Sequence, residues 1–165
     1  VVAVTPADTC GEVRALVGDA SVEVFAQGEG DLGDRMRSAM TRLFEEDAGA
    51  VVLLGSDVPE ITPEVIGNAF DRLAAGSDRV VLGPADDGGY YLVGARYVPP
   101  IFDGVAWGSE RVLAETLRLA GERACPVHLL ERLGDVDTAA DLRRVARSGR
   151  APRTTAWARM HVRLE

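Results

Sequence analysis

The chain contains no lysine; its 18 basic side chains are all arginines. Genomic bias accounts for such an absence without any appeal to function, but one consequence is chemical: no lysine ammonium is there to grip a phosphate as a point charge. Aromatic residues are scarce at 5 %, and there are two histidines and two cysteines. Cys10 and Cys125 lie far apart without metal-ligand spacing, which leaves no disulfide framework and no thiolate zinc site, and reads as free thiols in a reducing cytoplasm. No apolar run approaches the roughly 20 residues of a membrane span, and no signal peptide is visible. A formal charge of -8 without a clustered basic footprint argues against nucleic acid or an anionic membrane as the main partner. It does not argue against a small phosphorylated ligand held by backbone N–H groups and a metal.

What is present is a chain of 165 residues, 47 % of them hydrophobic, enough for one domain with a substantial core. Short apolar runs read as strands over Val1–Val4, Val22–Gln27, Ala50–Gly55, Arg79–Gly83, Tyr90–Gly94 and Cys125–Leu130. Several are apolar on successive residues, as strands buried on both faces of a parallel sheet are. Helical periodicity lies between them. Met36, Ala39, Met40, Leu43 and Phe44 form one stripe. Thr62 caps a second helix with Pro63 at its first position, Ser109 caps a third, and Thr138 caps a fourth with Asp141 closing a capping box. Beyond Arg147 the sequence reads as a loop leading to a short C-terminal helix or tail. Alternating strands and helices predict a Rossmann-like three-layer α/β/α fold around a mostly parallel sheet. The loop between Arg79–Gly83 and Tyr90–Gly94 is too short for a parallel crossover, so Tyr90–Gly94 either runs antiparallel or sits elsewhere in the sheet.

In an open α/β sheet the ligand lies beyond the carboxyl ends of the strands. Four predicted strand ends carry glycine and aspartate together: GEGDLGDR from Gly28, GSDVPEIT from Gly55, GPADDGG from Gly83 and GDVDT from Gly134. Glycine lets backbone approach a ligand, and carboxylates are hard oxygen donors for Mg2+ or Mn2+, which in turn bind phosphate oxygens. Asp57 and Asp137 are the candidate metal ligands; a turn former and a helix-leading acid are their structural alternatives. Adjacent Asp86 and Asp87 point to opposite sides of an extended segment, and Asp87, against the glycines, is the one expected to face a ligand. Gly88 and Gly89 would let a ring lie against bare backbone. Tyr90 and Tyr91 alternate, one walling a pocket and the other packing in the core. His128, within a strand and without a serine or carboxylate motif, reads as structural.

The segments GSDVPEITPEVI, VVLGPADDGGYYLVG, FDGVAWGSERVL and GDVDTAADLRRV, with QGEGDLGDRM upstream, resemble an uncharacterised bacterial family of transferases with the glycosyltransferase-A fold, described as radical-SAM/selenodomain-associated. More distantly the chain is similar to the nucleotidyltransferases that make molybdenum-cofactor dinucleotides and guanylylate phospholactate, within the nucleotide-diphospho-sugar transferase superfamily. The resemblance implies that Asp57 and Asp137 bind metal and that Asp87, Gly88 and Gly89 form the acceptor- or sugar-side loop; with Gly88 and Gly89, the residues Gly55, Ser56, Tyr90, Trp107 and Ser109 are expected to line the substrate. Trp107 and Ser109 match a further family motif. Family members open with a strand and a glycine-bearing loop containing Lys and Arg that holds the nucleotide phosphates. Here the first strand matches the family's second, so residues 1–165 are expected to be a single transferase-like domain that is either N-terminally truncated or has lost that loop.

The function expected is metal-dependent transfer from a nucleoside triphosphate or nucleotide-sugar to a small-molecule acceptor. Nucleotidyl transfer is slightly favoured over glycosyl transfer. Two carboxylates without an evident protein nucleophile favour direct displacement. The rival class is a non-catalytic binding module that keeps the fold without the loop. Oligomeric state is not legible.

Overall fold

The computed structural model describes residues 2–19, 21–76 and 79–162. Each strand expected from the sequence forms: β1 (Val2–Thr5), β2 (Glu23–Ala26), β3 (Val51–Leu54), β4 (Val80–Pro84), β5 (Tyr90–Ala95) and β6 (Val127–Leu129). Val1, assigned to the first strand, lies outside the described residues. The four expected helices are α2 (Leu32–Glu45), α3 (Pro63–Ala74), α4 (Val112–Glu122) and α5 (Ala139–Ser148), and the tail folds as α6 (Pro152–His161). The sequence did not announce α1 (Cys10–Val17), which buries none of its residues and so carries no core-facing stripe. It ends at Gly18, whose φ of 62° turns the chain left-handed, and Arg14 ties it to β2 by donating to the Val24 carbonyl at 2.8 Å.

Local chemistry sets the helix starts. At α5, Thr138 Oγ1 accepts the Asp141 N–H at 3.2 Å while Asp141 Oδ2 accepts the Thr138 N–H at 2.9 Å, the expected capping box. The Thr138 hydroxyl also donates to Asp141 Oδ2 at 2.6 Å, and that bond, followed by the one from the Thr138 N–H, holds the Asp141 carboxyl below its ordinary pKa. A second box, between Asp31 and Asp34, opens α2. Thr62 does precede Pro63 at the start of α3, but its side chain makes no bond to the helix backbone; its hydroxyl bonds the Glu64 carboxylate and lowers that group's pKa. The expected cap on α4 is corrected. Arg111, not Ser109, occupies that position. Ser109 instead closes the preceding turn, donating to the Ala106 carbonyl at 2.7 Å and accepting the Arg111 N–H at 3.3 Å.

Strand pairing settles the irregular unit. β5 follows β4 as a hairpin and is antiparallel to both neighbours, β3 and β4, while β6 is parallel to β4. The order is β3-β5-β4-β6, and β1 pairs β2, in parallel, in a separate ladder. Side chains on β4 alternate between two cores. Val80 and Leu82 join Val93, Met40, Phe102 and Leu113, under α2 and α4. Val81 joins Tyr91, Leu92, Val65, Ala69 and Leu73, under α3. Helices therefore cover both faces of the four-stranded sheet, and both faces of β4 are buried, which is why its sequence is apolar throughout.

One glycine in β4 is needed for packing. A Cβ at Gly83 would fall inside the ring of Tyr91, which lies across it and donates its hydroxyl to the Glu131 carbonyl at 3.1 Å. Burial pushes the Tyr91 hydroxyl up to about 12, reinforced by the Glu131 charge. Gly83→Ala is expected to cost about 1–3 kcal/mol of unfolding free energy through overpacking. Gly67→Ala, in the interior of α3 with open space where the methyl goes, is expected to add about 0.5–1 kcal/mol. Urea unfolding of the two variants checks the contrast.

Candidate functional site

Because β5 is antiparallel to both β3 and β4, and β6 is parallel to β4, the strands β3, β4 and β6 share one direction. Their carboxyl ends lie on one edge, the side on which open α/β sheets bind ligands. Three loops leave it: residues 55–60 after β3, 85–89 after β4, and 134–138 leading into α5. Backbone hydrogen bonds splice them together. The Val136 N–H donates to the Asp57 carbonyl at 3.0 Å, and the Asp86 N–H donates to the Leu133 carbonyl at 3.1 Å. Ala85 also pairs in parallel with Leu133, and the Gly55 N–H reaches the Tyr91 carbonyl at 2.9 Å.

The three aspartates singled out in the sequence thus come from adjacent loops on one edge, and Asp57, Asp87 and Asp137 are all exposed there. Asp57 curls back over Gly55, where a Cβ would collide with its carboxylate. Asp87 Oδ1 accepts the Gly89 N–H at 2.8 Å, which fixes one of its oxygens. Between Asp87 and Asp137 stands Asp135. Partial burial raises its carboxyl pKa, and the charges of Asp87 and Asp137, with a hydrogen bond to Asp137, raise it further. These carboxylates are close enough to repel, and a cation would relieve that repulsion.

Other residues from the sequence reading have different surroundings. Gly88, at a φ of 91°, has the backbone of Glu110 where a Cβ would stand, and its carbonyl accepts the Leu113 N–H at 2.9 Å. Its bareness lets the turn dock on the start of α4 rather than receive a ring. The Tyr90 hydroxyl is buried, its pKa raised by burial, and its ring meets Trp107 edge-on at 6.2 Å between centroids. Tyr91 packs on the opposite face, so neither tyrosine walls the carboxylate edge. The indole of Trp107 fills the space above Gly33, in the first turn of α2. Trp107 therefore fastens α2 to the segment before α4. Ser109 serves the same segment. Of the proposed substrate-lining set, Gly55, Ser56 and Gly89 remain beside the aspartates.

Two residues that sequence reasoning did not single out brace the site. Glu60 is 5 % exposed yet charged. Arg144 Nη1 donates to its Oε2 at 3.0 Å, and Arg144 Nη2 donates to the Asp135 carbonyl at 2.8 Å. The guanidinium lies where a Cβ at Gly134 would be, so one arginine from α5 clasps the loop after β3 to the loop before α5. The available signal was an acid between Pro59 and Ile61 in an otherwise apolar turn, but its partner stands 84 residues on. Arg132 makes a similar brace by donating to the Ala85 carbonyl.

Whether this edge fits a divalent cation is a question of donor chemistry. Among the described residues no three His, Cys, Asp or Glu side chains converge tightly enough to hold an ion by themselves. Mg2+ is ordinarily bound by one or two carboxylates, with phosphate oxygens and water completing the shell. The exposed Asp57 and Asp137, beside the mutually repelling Asp135 and Asp87, fit that mode and not an all-protein cage.

The fold is that of the nucleotide-diphospho-sugar transferases. The chain superimposes on the crystal structure of a candidate nucleotide-diphospho-sugar transferase from Desulfovibrio desulfuricans G20 with a TM-score of 0.86 and 33 % identity, covering 96 % of this chain and 72 % of that one. Residues 1–109 match DUF2064, described as an uncharacterised protein conserved in bacteria, and the chain belongs to that family. Comparison with curated proteins gives no match. Among the described residues no helix is long and apolar enough to cross a membrane.

Asp135 carries a pH signature. A folded-state pKa above the ordinary 3.8 means its contribution to stability is full below that value and is lost as pH rises through the raised one. Asp135→Asn removes the loss, so as pH rises through and above the ordinary carboxylate range the variant is expected to gain stability relative to wild type, read by urea unfolding as a function of pH. Arg144→Met strands the buried Glu60 and is expected to cost about 1–3 kcal/mol. Arg144 is itself 39 % exposed, so the cost stays below that of breaking a fully buried pair. Adding Glu60→Gln to Arg144→Met is expected to recover part of it.

Proposed function

We propose that this domain is a divalent-metal-dependent transferase whose donor is a nucleoside triphosphate or a nucleotide-sugar and whose acceptor is a small hydroxyl-bearing molecule. The observation that carries the reading is that Asp57, Asp87, Asp135 and Asp137 stand on three loops spliced by backbone hydrogen bonds along one strand-end edge. The fold shared with a candidate nucleotide-diphospho-sugar transferase supports it.

In this reading Asp57 and Asp137 hold Mg2+ or Mn2+. The bound ion would supply positive charge against the donor's phosphate oxygens as the bond to the leaving group breaks. Gly55 and Ser56 offer backbone beside the donor. Asp87, with one oxygen fixed by the Gly89 N–H, turns the other toward the acceptor. It takes the acceptor hydroxyl's proton while that oxygen bonds to the transferred group. In nucleotidyl transfer the new bond is to the α-phosphorus and pyrophosphate leaves. In glycosyl transfer it is to the anomeric carbon and the nucleoside diphosphate leaves. The motifs DGG at Asp87–Gly89 and DVDT at Asp135–Thr138 tilt the proposal toward nucleotidyl transfer.

Calorimetric titration of nucleoside triphosphates and nucleotide-sugars, with and without Mn2+, tests this. Metal-dependent binding of one donor class is the expected result. Binding that ignores the metal overturns the reading. Absence of binding of either donor class, with or without metal, would make the domain a non-catalytic module. Asp57→Asn and Asp137→Asn are each expected to weaken metal-dependent donor binding at least about tenfold with the fold intact. Asp87→Ala is expected to leave binding unchanged and lower kcat by about 10²–10⁴.

A further inference from the structure

Two links cross between the loop that carries Asp57 and the loop that carries Asp137. One is the backbone bond from the Val136 N–H to the Asp57 carbonyl, 3.0 Å long. The other is the Arg144 guanidinium, with Nη1 on Glu60 Oε2 at 3.0 Å and Nη2 on the Asp135 carbonyl at 2.8 Å. Each candidate ligand therefore has the splice at it or beside it and the clasp close by in the chain, since Glu60 follows Asp57 by three positions and Asp135 precedes Asp137 by two. Neither end of the clasp is slack. The Ile61 N–H donates to the Val58 carbonyl at 3.2 Å and closes a turn around Glu60, and Val58 and Ile61 both pack in the core beneath α3. At the other end the capping box at Thr138 fixes where α5 begins, and Arg144 stands in the second turn of that helix.

Stability is a poor reason for this pair. Glu60 is almost fully buried, and taking a carboxylate that far out of water offsets most of the attraction to its partner; an apolar contact of similar volume is often as stabilising. A guanidinium fork adds what an apolar contact lacks, a fixed length and direction between two acceptors. Gly134 is bare where the fork lies, so the loop backbone closes directly on it.

We propose that Arg144 and Glu60 are positioning residues for the cation: their clasp keeps Asp57 and Asp137 within reach of one divalent ion. The inference rests on the reading that those two aspartates are the ligands, and it runs against the simple Coulomb expectation. A guanidinium bonded into the acidic edge repels a second cation, so by charge alone its removal tightens metal binding. A clasp that positions the ligands has the opposite sign. Its removal weakens binding, as the loss of outer-shell partners does by about 10–100-fold.

Mn2+ alone is the probe, its free concentration followed by electron paramagnetic resonance as the chain is titrated. Arg144→Met is expected to weaken Mn2+ binding at least about tenfold. The same loss is expected of the double variant Glu60→Gln/Arg144→Met, which leaves the net charge of the pair unchanged, and of Arg144→Lys, which keeps the charge but loses the fork. Unchanged or tighter binding in any of the three overturns the proposal. A second readout needs no metal. The Val136 amide is expected to exchange at least about tenfold faster in metal-free Arg144→Lys, while the amides of the β4–β5 hairpin stay as protected as in wild type. A Val136 amide that keeps its protection overturns the proposal, and so does an equal loss at the hairpin, which would make the clasp a contributor to global stability instead. Asp57→Asn separates this inference from the reading beneath it. Mn2+ binding that Asp57→Asn weakens and the Arg144 variants do not sinks the clasp alone. Mn2+ that binds without regard to Asp57→Asn, or not at all, removes the cation from this edge and the proposal with it.

Discussion

The structure turns on the double pairing of β5. Placed between β3 and β4 and antiparallel to both, it fixes the direction of β3, β4 and β6 relative to one another and brings their carboxyl ends to one edge. The short turn of residues 85–89 is what makes this possible, since only an antiparallel return can be made so quickly. The cost of the turn is local. Gly88 must adopt a positive φ, and its missing side chain admits the backbone of Glu110. Gly83 must be bare so that Tyr91, the second residue after the turn, can lie across it. The unusual composition of the GPADDGGYY stretch is then largely architectural: glycine where chains touch, tyrosine where each face of the sheet needs volume, and Asp86 and Asp87 exposed at the turn.

The site is assembled by backbone and held by charge. Hydrogen bonds from Val136 to Asp57 and from Asp86 to Leu133 set the spacing of the loops. Those bonds place carboxylates near one another, and the charges of Asp87 and Asp137 add to the burial that raises the pKa of Asp135. Arg144 bonds both Glu60 and the Asp135 carbonyl, joining the loop after β3 to the loop before α5.

Elsewhere the aromatic residues serve packing. Trp107 and Tyr90 stack edge to face between α2 and α4, and Tyr97 lies 3.1 Å from the buried Cys125 sulfur. His128, in β6, is held below its ordinary pKa by burial and by the charges of Arg72 and Arg79, in keeping with its reading as a structural residue.

By itself the sequence determined the six strands, the four amphipathic helices, the shortness of the loop between β4 and β5 and the clustering of glycine and aspartate at strand ends, because all of these are written in local periodicity and turn chemistry. It could not announce α1, which buries nothing and so has no periodic stripe, nor assign the cap of α4, where Ser109 serves a turn instead. Tertiary structure alone decided that β5 lies between β3 and β4, that Gly88 and Tyr90 face protein, and that Glu60 meets an arginine 84 residues away. Those outcomes depend on which surfaces meet when the layers pack, and neither side-chain period nor turn preference carries information about contacts between distant segments.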